Sequence, residues 1–349
     1  MIRQSLTAYG RALVKTMTLP SVPSGTEVLL RIHGCGVCHS DLHLQDGYLD
    51  LGDGKRLDIR SGRTLPFTLG HEISGFIEAA GPEADELRSS ALYVVYPWIG
   101  CGSCAHCAAG AEHLCDRPRH LGITVDGGYA SHVLVPHSRY LIDASGIEAG
   151  IAGSYMCSGL TSYSAIGKAT RFLRPGGTLM ILGLGGVGLM ALEIAKAMTD
   201  ATIVAADLAP EKREAALARG ASACFDPAGE DARRAVLTSI GAADACIDFV
   251  GSGPSLTFAE RIVGKGGGVI VVGLMGGRFS LPVPMFPLRE LAICGSYGGT
   301  LAEARELVAL VRQGRTGPIP YDERPLAAVN AALADLREGR IVGRMVLRP

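Results

Sequence analysis

The chain has no uninterrupted apolar run of 18 residues, so no segment reads as a membrane-spanning helix. It has no block of five or more like charges and no surplus of basic residues. The 33 Lys and Arg nearly balance 34 Asp and Glu, for a formal net charge of −1. That balance argues against a strongly basic nucleic-acid binder and against a charged interaction tail. Charged residues are 19% of the chain and aromatic residues 5%, with one tryptophan. The first ten residues carry no apolar h-region of a secretory signal, so a cytoplasmic protein is expected. There is no internal repeat, no low-complexity tract and no Gly-X-Y period.

Hydrophobic residues make up 48% of the 349 positions. That is enough for about two domains at roughly 150 residues each. Glycine is abundant, at 47 residues, roughly twice its usual share. That excess points to many tight turns and close backbone approaches. The ten cysteines lie in a chain without a secretory signal, so their close spacing points to metal or catalysis rather than to disulfides.

Two patterns divide the chain. Up to about residue 145, short strand-like runs are broken by Gly, Pro and Asp, as at Val28–Gly34, Tyr93–Tyr96 and Val133–Val135, which predicts a mostly β region. After about residue 155, buried strands alternate with helices. Strands are expected at Thr178–Gly183, Thr202–Ala206, Ala223–Phe225, Ala245–Val250, Gly268–Val272 and Leu291–Cys294. That alternation predicts a parallel, doubly wound sheet. Helical stretches return at Leu301–Arg312 and Leu326–Glu338, and Gly343–Leu347 closes the chain as a strand. The polar stretch Asp50–Arg63 reads as an exposed loop.

Gly183-Leu184-Gly185-Gly186-Val187-Gly188 fits G-x-G-x-x-G, placed after a strand and opening a helix. The first Gly permits the turn, the second lets the backbone approach a pyrophosphate, and the third allows close helix–strand packing. The helix N-terminus offers free N–H groups and the positive end of its dipole. Asp207 ends the next strand, where a carboxylate binds a ribose hydroxyl and repels a 2′-phosphate, which favours NAD over NADP. Lys212 is a second candidate for that ribose.

Cys101, Cys104, Cys107 and Cys115 form C-x2-C-x2-C-x7-C. Four thiolates so spaced can close a tetrahedral zinc site with no open position, and an iron–sulfur cluster is the rival reading. His106 and His113 lie inside that loop as bystanders. Cys38, His71 and Cys157 would make a second site, two Cys and one His, with the fourth position open. Each of the three alone reads as a buried thiol or a packed imidazole. The surrounding run Cys38-His39-Ser40-Asp41-Leu42-His43 concentrates chemically useful side chains. Cys35, Cys224, Cys246 and Cys294 sit in or beside apolar runs and are expected to be buried, inert thiols.

With these motifs in view, the sequence resembles the zinc-dependent medium-chain alcohol dehydrogenases over almost its whole length, the yeast-type and bacterial tetrameric members most. The resemblance rests on Gly70-His71-Glu72, on Gly36 to His43, on the four-cysteine loop and on the Gly183–Gly188 motif with its acid. It implies a GroES-like, β-rich catalytic domain (residues 1–156 and 297–349) and a Rossmann NAD-binding domain (157–296). It also implies two zinc ions per chain, a catalytic one on Cys38, His71 and Cys157 and a structural one on the four-cysteine loop. Carried over by position, Glu72 is a carboxylate beside the metal, Asp41 orients His71, Ser40 takes the alcohol proton and His43 passes it toward solvent. His39 and Arg344 fall where the family contacts the pyrophosphate, and Thr161 where it contacts the nicotinamide.

The implied reaction is the reversible oxidation of a primary or secondary alcohol, alkyl, aromatic or alicyclic, to an aldehyde or ketone with hydride transfer to NAD. A polyol or amino-alcohol dehydrogenase is the alternative. Tyr48 and Trp98 are candidate pocket walls, with Leu274 and Met275 bordering the pocket. The partners expected are the small-molecule substrate and further copies of the chain, as a homodimer or homotetramer. The stretch between His43 and His71 is longer than in yeast-type relatives, and residues 51–63 are expected to border the cleft or a subunit contact.

Overall fold

A computed structural model describes all residues, 1–349. The apolar runs between residues 178 and 295 pair as one six-stranded, wholly parallel sheet. Its spatial order is Cys224–Phe225, Thr202–Ala206, Thr178–Leu182, Ala243–Asp248, Val263–Val271, Ala292–Gly295. In chain order this is 3-2-1-4-5-6, the Rossmann arrangement, whose ligand crevice opens where the winding reverses. That reversal falls between Thr178–Leu182 and Ala243–Asp248. Ala243–Asp248 is buried at every position, and Thr178–Leu182 is buried from its second residue on. Hence Thr178–Leu182 reads as a near-continuous apolar run rather than an alternating one, while Ala243–Asp248 buries Asp244 and Asp248 among its apolar residues.

The remainder is mostly β, as expected. Val28–Gly36 is the hub of a seven-stranded sheet and pairs antiparallel with Glu72–Ala80, His132–Val135 and the C-terminal strand Arg344–Arg348. The register Gly36↔Glu72 and Val346↔Gly36 matters for function, because it brings three distant segments to one point. One apolar core runs through both sheets and the helices between them, and a smaller one fills the other face of the parallel sheet. No helix is long and apolar enough to cross a membrane.

Two expectations need correction. Residues Asp50–Arg63 are not simply a loop. Tyr48–Gly52 and Lys55–Asp58 pair as a hairpin with Tyr48↔Asp58 and Leu49↔Leu57 in register. Asp53 and Gly54 both adopt left-handed backbone, φ 53° and 72°, which matches the twist of paired strands. The polarity of the second strand, exposed throughout, hides it from a hydrophobic pattern. Among the spare cysteines, Cys35 and Cys246 are buried as expected, but Cys224 and Cys294 are only half-buried. They lie on the two edge strands of the parallel sheet, where one flank has no neighbour.

Candidate active site

Strand Val28–Gly36 ends at Gly36 and the chain turns at Val37–Cys38 into helix His39–Asp46. Asp41, in the first turn, reaches back to accept the Cys38 backbone N–H at 2.9 Å. The same Asp41 oxygen accepts the Tyr129 hydroxyl at 2.7 Å. Its other oxygen lies 3.4 Å from His71 Nδ1. Asp41 and His71 are fully buried, so one carboxylate orients both the Cys38 backbone and the His71 ring.

Around them, His71 Nε2 lies 3.2 Å from Cys157 Sγ, and Cys38 Sγ lies 3.9 Å from Cys157 Sγ. The Cys38, His71, Glu72 and Cys157 donor atoms all fall within 4.8 Å of one another. A tetrahedral zinc with its usual bond lengths places two sulfurs about 3.8 Å apart and a sulfur and nitrogen about 3.5 Å apart, so the donor set fits that ion. The electrostatics agree. The Cys157 S–H, and secondarily His71, hold the Cys38 thiol well down, while Cys38 and burial drive Cys157 well up. Two thiolates this close ionise together only beside a cation.

Glu72 is fully buried and its acidity is weakened by burial, which the Arg344 guanidinium opposes. One Glu72 oxygen accepts Arg344 and the Ser158 hydroxyl, the latter at 3.1 Å. The other oxygen has no hydrogen-bond partner, and the Glu72 carboxylate belongs to the donor cluster. Arg344, expected at the pyrophosphate, is thus tied to Glu72 and to the Val37 carbonyl, the latter at 2.9 Å. It still lines the cleft beside Gly186.

The Gly-rich turn joins strand Thr178–Leu182 to helix Gly186–Met198. Gly183 is left-handed, φ 92°. A Cβ on Gly188 would stand 1.8 Å from the Gly183 carbonyl oxygen, so that position admits only glycine. Asp207 spans the site: one oxygen accepts the Leu184 N–H at 2.6 Å, the other the Ala209 N–H at 2.9 Å.

A cleft of about 390 Å³ joins the two halves of the site. Cys38 and Cys157 line it together with Gly183, Gly185, Gly186, Val187 and Gly188, and Asp207 and Lys212 stand in the same wall. His39, Ser40, His43, Thr161 and Trp98 also line it, as do Leu274 and Met275. Ser40 Oγ lies 3.8 Å from Cys38 Sγ. Burial holds His43 below the ordinary imidazole value. Trp98 donates its indole N–H to the Met156 carbonyl at 3.0 Å, and its ring meets Tyr297 edge-on with centroids 5.2 Å apart.

Tyr48 is a correction. It does not line the cleft, because it opens the hairpin and lies 4.0 Å beneath the Arg56 guanidinium. Tyr297, Phe249 and Val250 line the cleft without having been singled out. Their neighbourhoods are apolar or Gly-rich runs with no spacing that marks a site.

The four-cysteine loop is compact. Cys104 Sγ lies 3.5 Å from Cys107 and 3.7 Å from Cys115, with all four sulfurs within 4.8 Å. The Cys101 and Arg117 backbone N–H groups donate to Cys115 Sγ at 3.2 and 3.3 Å. Ser103, chiefly through its backbone N–H, lowers Cys101 to about 5, whereas desolvation and neighbouring sulfurs push Cys107 up to about 12. Again the donor set calls for a cation. Glu112, unmarked in the sequence, anchors the loop by accepting the Gly100 N–H at 3.0 Å and the Tyr140 hydroxyl at 2.7 Å. His106 and His113 are not part of the cluster.

Comparison with known proteins agrees with this layout. A family model of the alcohol dehydrogenase GroES-like domain matches residues 24–145, and one of the zinc-binding dehydrogenases matches residues 186–313. An NAD-dependent alcohol dehydrogenase of Sulfurisphaera tokodaii is 38% identical over 330 residues, 94% of each chain. A D-arabinose 1-dehydrogenase (NADP(+)) of Saccharolobus solfataricus is 30% identical over 96% of this chain and 94% of its own. The crystal structure of the alcohol dehydrogenase of Aeropyrum pernix superposes with a TM-score of 0.90 at 31% identity, covering 100% of both chains. The chain belongs to the zinc-dependent medium-chain alcohol dehydrogenase family.

Proposed function

We propose that the chain is an NAD-dependent alcohol dehydrogenase that interconverts a primary or secondary alcohol with an aldehyde or ketone. One observation carries this reading: Cys38 and Cys157 of the donor cluster line the same cleft as the glycine turn and Asp207. Residues 1–156 with 297–349 form the catalytic unit, and residues 157–296 the dinucleotide unit. Cys38, His71 and Cys157 would hold a zinc ion supplying a Lewis acid that eases ionisation of the alcohol, and NAD would supply the hydride acceptor.

The chain's own groups do the rest. Ser40 Oγ takes the alcohol proton, and His43, three residues on and so on the same helix face, delivers it toward water. Asp41 keeps the His71 ring in place. Glu72, paired with Arg344, brings a carboxylate to the cluster while Arg344 limits its net charge. Gly183, Gly185, Gly186, Val187 and Gly188 receive the pyrophosphate with His39, Asp207 and Lys212 hold the adenine-side ribose, and Thr161 borders the nicotinamide. Trp98, Leu274 and Met275 give the substituent side of the cleft an apolar wall, which favours alkyl, aromatic or alicyclic alcohols.

The test is NADH formation over a panel of alkyl, aromatic, alicyclic and polyol alcohols, repeated after chelation. Turnover of an apolar class that disappears on metal removal supports the reading. The likeness to a D-arabinose dehydrogenase keeps polyols as the competing arm, and turnover confined to polyols would overturn the apolar assignment.

The four-cysteine loop is proposed to hold a second, structural zinc. Cys104→Ser is expected to lower zinc content from two ions per chain to one and to lower the melting temperature by on the order of 5 °C or more. The KM values for alcohol should stay within about two-fold, since no residue of that loop lines the cleft. Unchanged zinc content would refute the assignment.

A further inference from the structure

The hairpin formed by Tyr48–Gly52 and Lys55–Asp58 buries little of itself, and its second strand is exposed throughout. Hydrophobic burial therefore does not account for it. Its two ends are firmly placed. The root follows directly on helix His39–Asp46, which carries Ser40 and His43. Gly47 ends that helix by donating its N–H to the His43 carbonyl at 2.8 Å, and its own carbonyl accepts the Ile59 N–H at 3.1 Å. The tip reaches the opposite side of the cleft, where it meets the segment that follows strand Val263–Val271.

That segment runs Val272-Gly273-Leu274-Met275-Gly276-Gly277-Arg278. Leu274 and Met275 line the cleft yet are 44% and 54% exposed. Three glycines around them offer no side chains for packing, so the position of this pair depends on what flanks it. On the inner side, the Met275 and Gly276 N–H groups donate to the Val250 and Gly251 carbonyls at 3.2 and 2.9 Å. Ser252 bridges Gly276, and Gly253 approaches the Arg278 carbonyl from the same loop, and the hairpin adds a separate contact. Arg278 Nε lies 3.1 Å from Asp53 Oδ2. The backbones interlock: a Cβ on Gly276 would stand 2.5 Å from the Asp50 carbonyl oxygen, and one on Gly52 would stand 3.0 Å from the Gly277 carbonyl carbon. The ion pair is exposed and weak by itself. The close backbone approach is what defines the contact.

We propose that this hairpin is a clasp across the mouth of the cleft, which holds Gly276–Arg278 and thereby positions Leu274 and Met275 as the wall that selects the alcohol's substituent. Asp50, Gly52, Asp53 and Arg278 are then positioning residues, since none of them lines the cleft. The inference rests on the alcohol dehydrogenase reading for its substrate. It predicts that loosening the clasp widens the mouth, which helps a bulky substituent and removes contacts from a small one.

Because Tyr48 and Asp58 are opposite one another, replacing residues 49–57 by Gly-Gly leaves a two-residue hairpin that closes without strain. The double variant Asp53→Ala, Arg278→Ala probes the side-chain contact alone. In the holoenzyme, the ratio of kcat/KM for cyclohexanol to that for ethanol should rise at least about five-fold in the shortened protein and about two-fold in the double variant. Amide hydrogen exchange over residues 274–278 should quicken at least about ten-fold in the shortened protein. Exchange is read without turnover, so it still decides the clasp if the wild-type chain oxidises neither alcohol, an outcome that would count against the functional reading instead. A ratio and an exchange rate both unchanged overturn the proposal. So does a changed ratio accompanied by a changed sedimentation mass, which would assign the hairpin to a contact between chains.

Discussion

Cys38→Ser is expected to reduce alcohol turnover by on the order of 10³-fold or more while leaving NAD affinity within about two-fold. A Lewis acid at a reacting oxygen contributes several kcal/mol, and each 1.36 kcal/mol is about a factor of ten in rate. Serine is close in size, but its hydroxyl does not ionise near neutral pH and is a poor zinc ligand. The loss should therefore fall on metal retention and kcat rather than on the fold. Asp41 holds the Cys38 backbone N–H, not its sulfur, so the helix start survives the change. The nucleotide wall is built from Gly183–Gly188 and Asp207, none of which contacts Cys38 Sγ. The single tryptophan provides a direct readout. Trp98 lines the cleft and its ring centroid is 5.9 Å from that of His71, so its emission can follow both NAD and zinc. Sustained turnover at stoichiometric loss of the Cys38 thiol would remove that residue from the reaction.

What the sequence disclosed follows from how narrowly each piece of chemistry restricts its residues. A tetrahedral soft-donor site admits few residue types, so Cys38, His71, Cys157 and the four-cysteine loop stand out even though the first three lie far apart in the chain. The Gly188 position admits one residue, and Gly183 and Asp207 fall at fixed offsets from it. The parallel sheet was legible because strands buried on both faces, such as Thr178–Leu182, read as apolar runs that alternate with helical stretches. The features that escaped notice depend on register or on distant packing. The Arg344–Glu72 ion pair joins residues 272 positions apart, and nothing local to either end announces it. Arg344 was placed at the cofactor, and its tie to the carboxylate beside His71 became visible only once the C-terminal strand was seen to pair with Val28–Gly36. The hairpin at Tyr48–Asp58 carries almost no buried apolar residue, so no alternation marks it. Only Asp53-Gly54, a dipeptide suited to such turns, was available as a signal. Tyr48, a candidate pocket wall from its sequence, does not line the cleft. Its ring instead lies beneath the hairpin's own Arg56 guanidinium.

Asp207→Ala is expected to lower the ratio of kcat/KM for NAD to that for NADP by roughly 10- to 100-fold. Two unit charges about 5 Å apart interact by roughly 3 kcal/mol at an effective dielectric near 20. Solvent around half-buried Asp207 reduces that figure, while the extra charge of a 2′-phosphate raises it, so a penalty of about 1.4 to 2.8 kcal/mol against NADP is reasonable. A cation is already at hand. Arg213 donates to the backbone carbonyls of Asp207 and Leu208 at 2.7 and 2.8 Å. These contacts do not use the Asp207 side chain and so persist in the alanine variant, leaving a guanidinium beside the space the carboxylate vacates. Alanine also removes the acceptors of the Leu184 and Ala209 N–H groups, so affinity for both dinucleotides should fall somewhat through the loosened glycine turn. Asp207→Asn separates the two effects. It keeps one amide oxygen as an acceptor but carries no charge, and should shift the cofactor ratio nearly as far as alanine with a smaller loss of NAD affinity. If both variants weakened NAD without moving the ratio, Asp207 would be a support of the turn alone, and the chain's choice between the two cofactors would have to lie with Arg213 or Lys212.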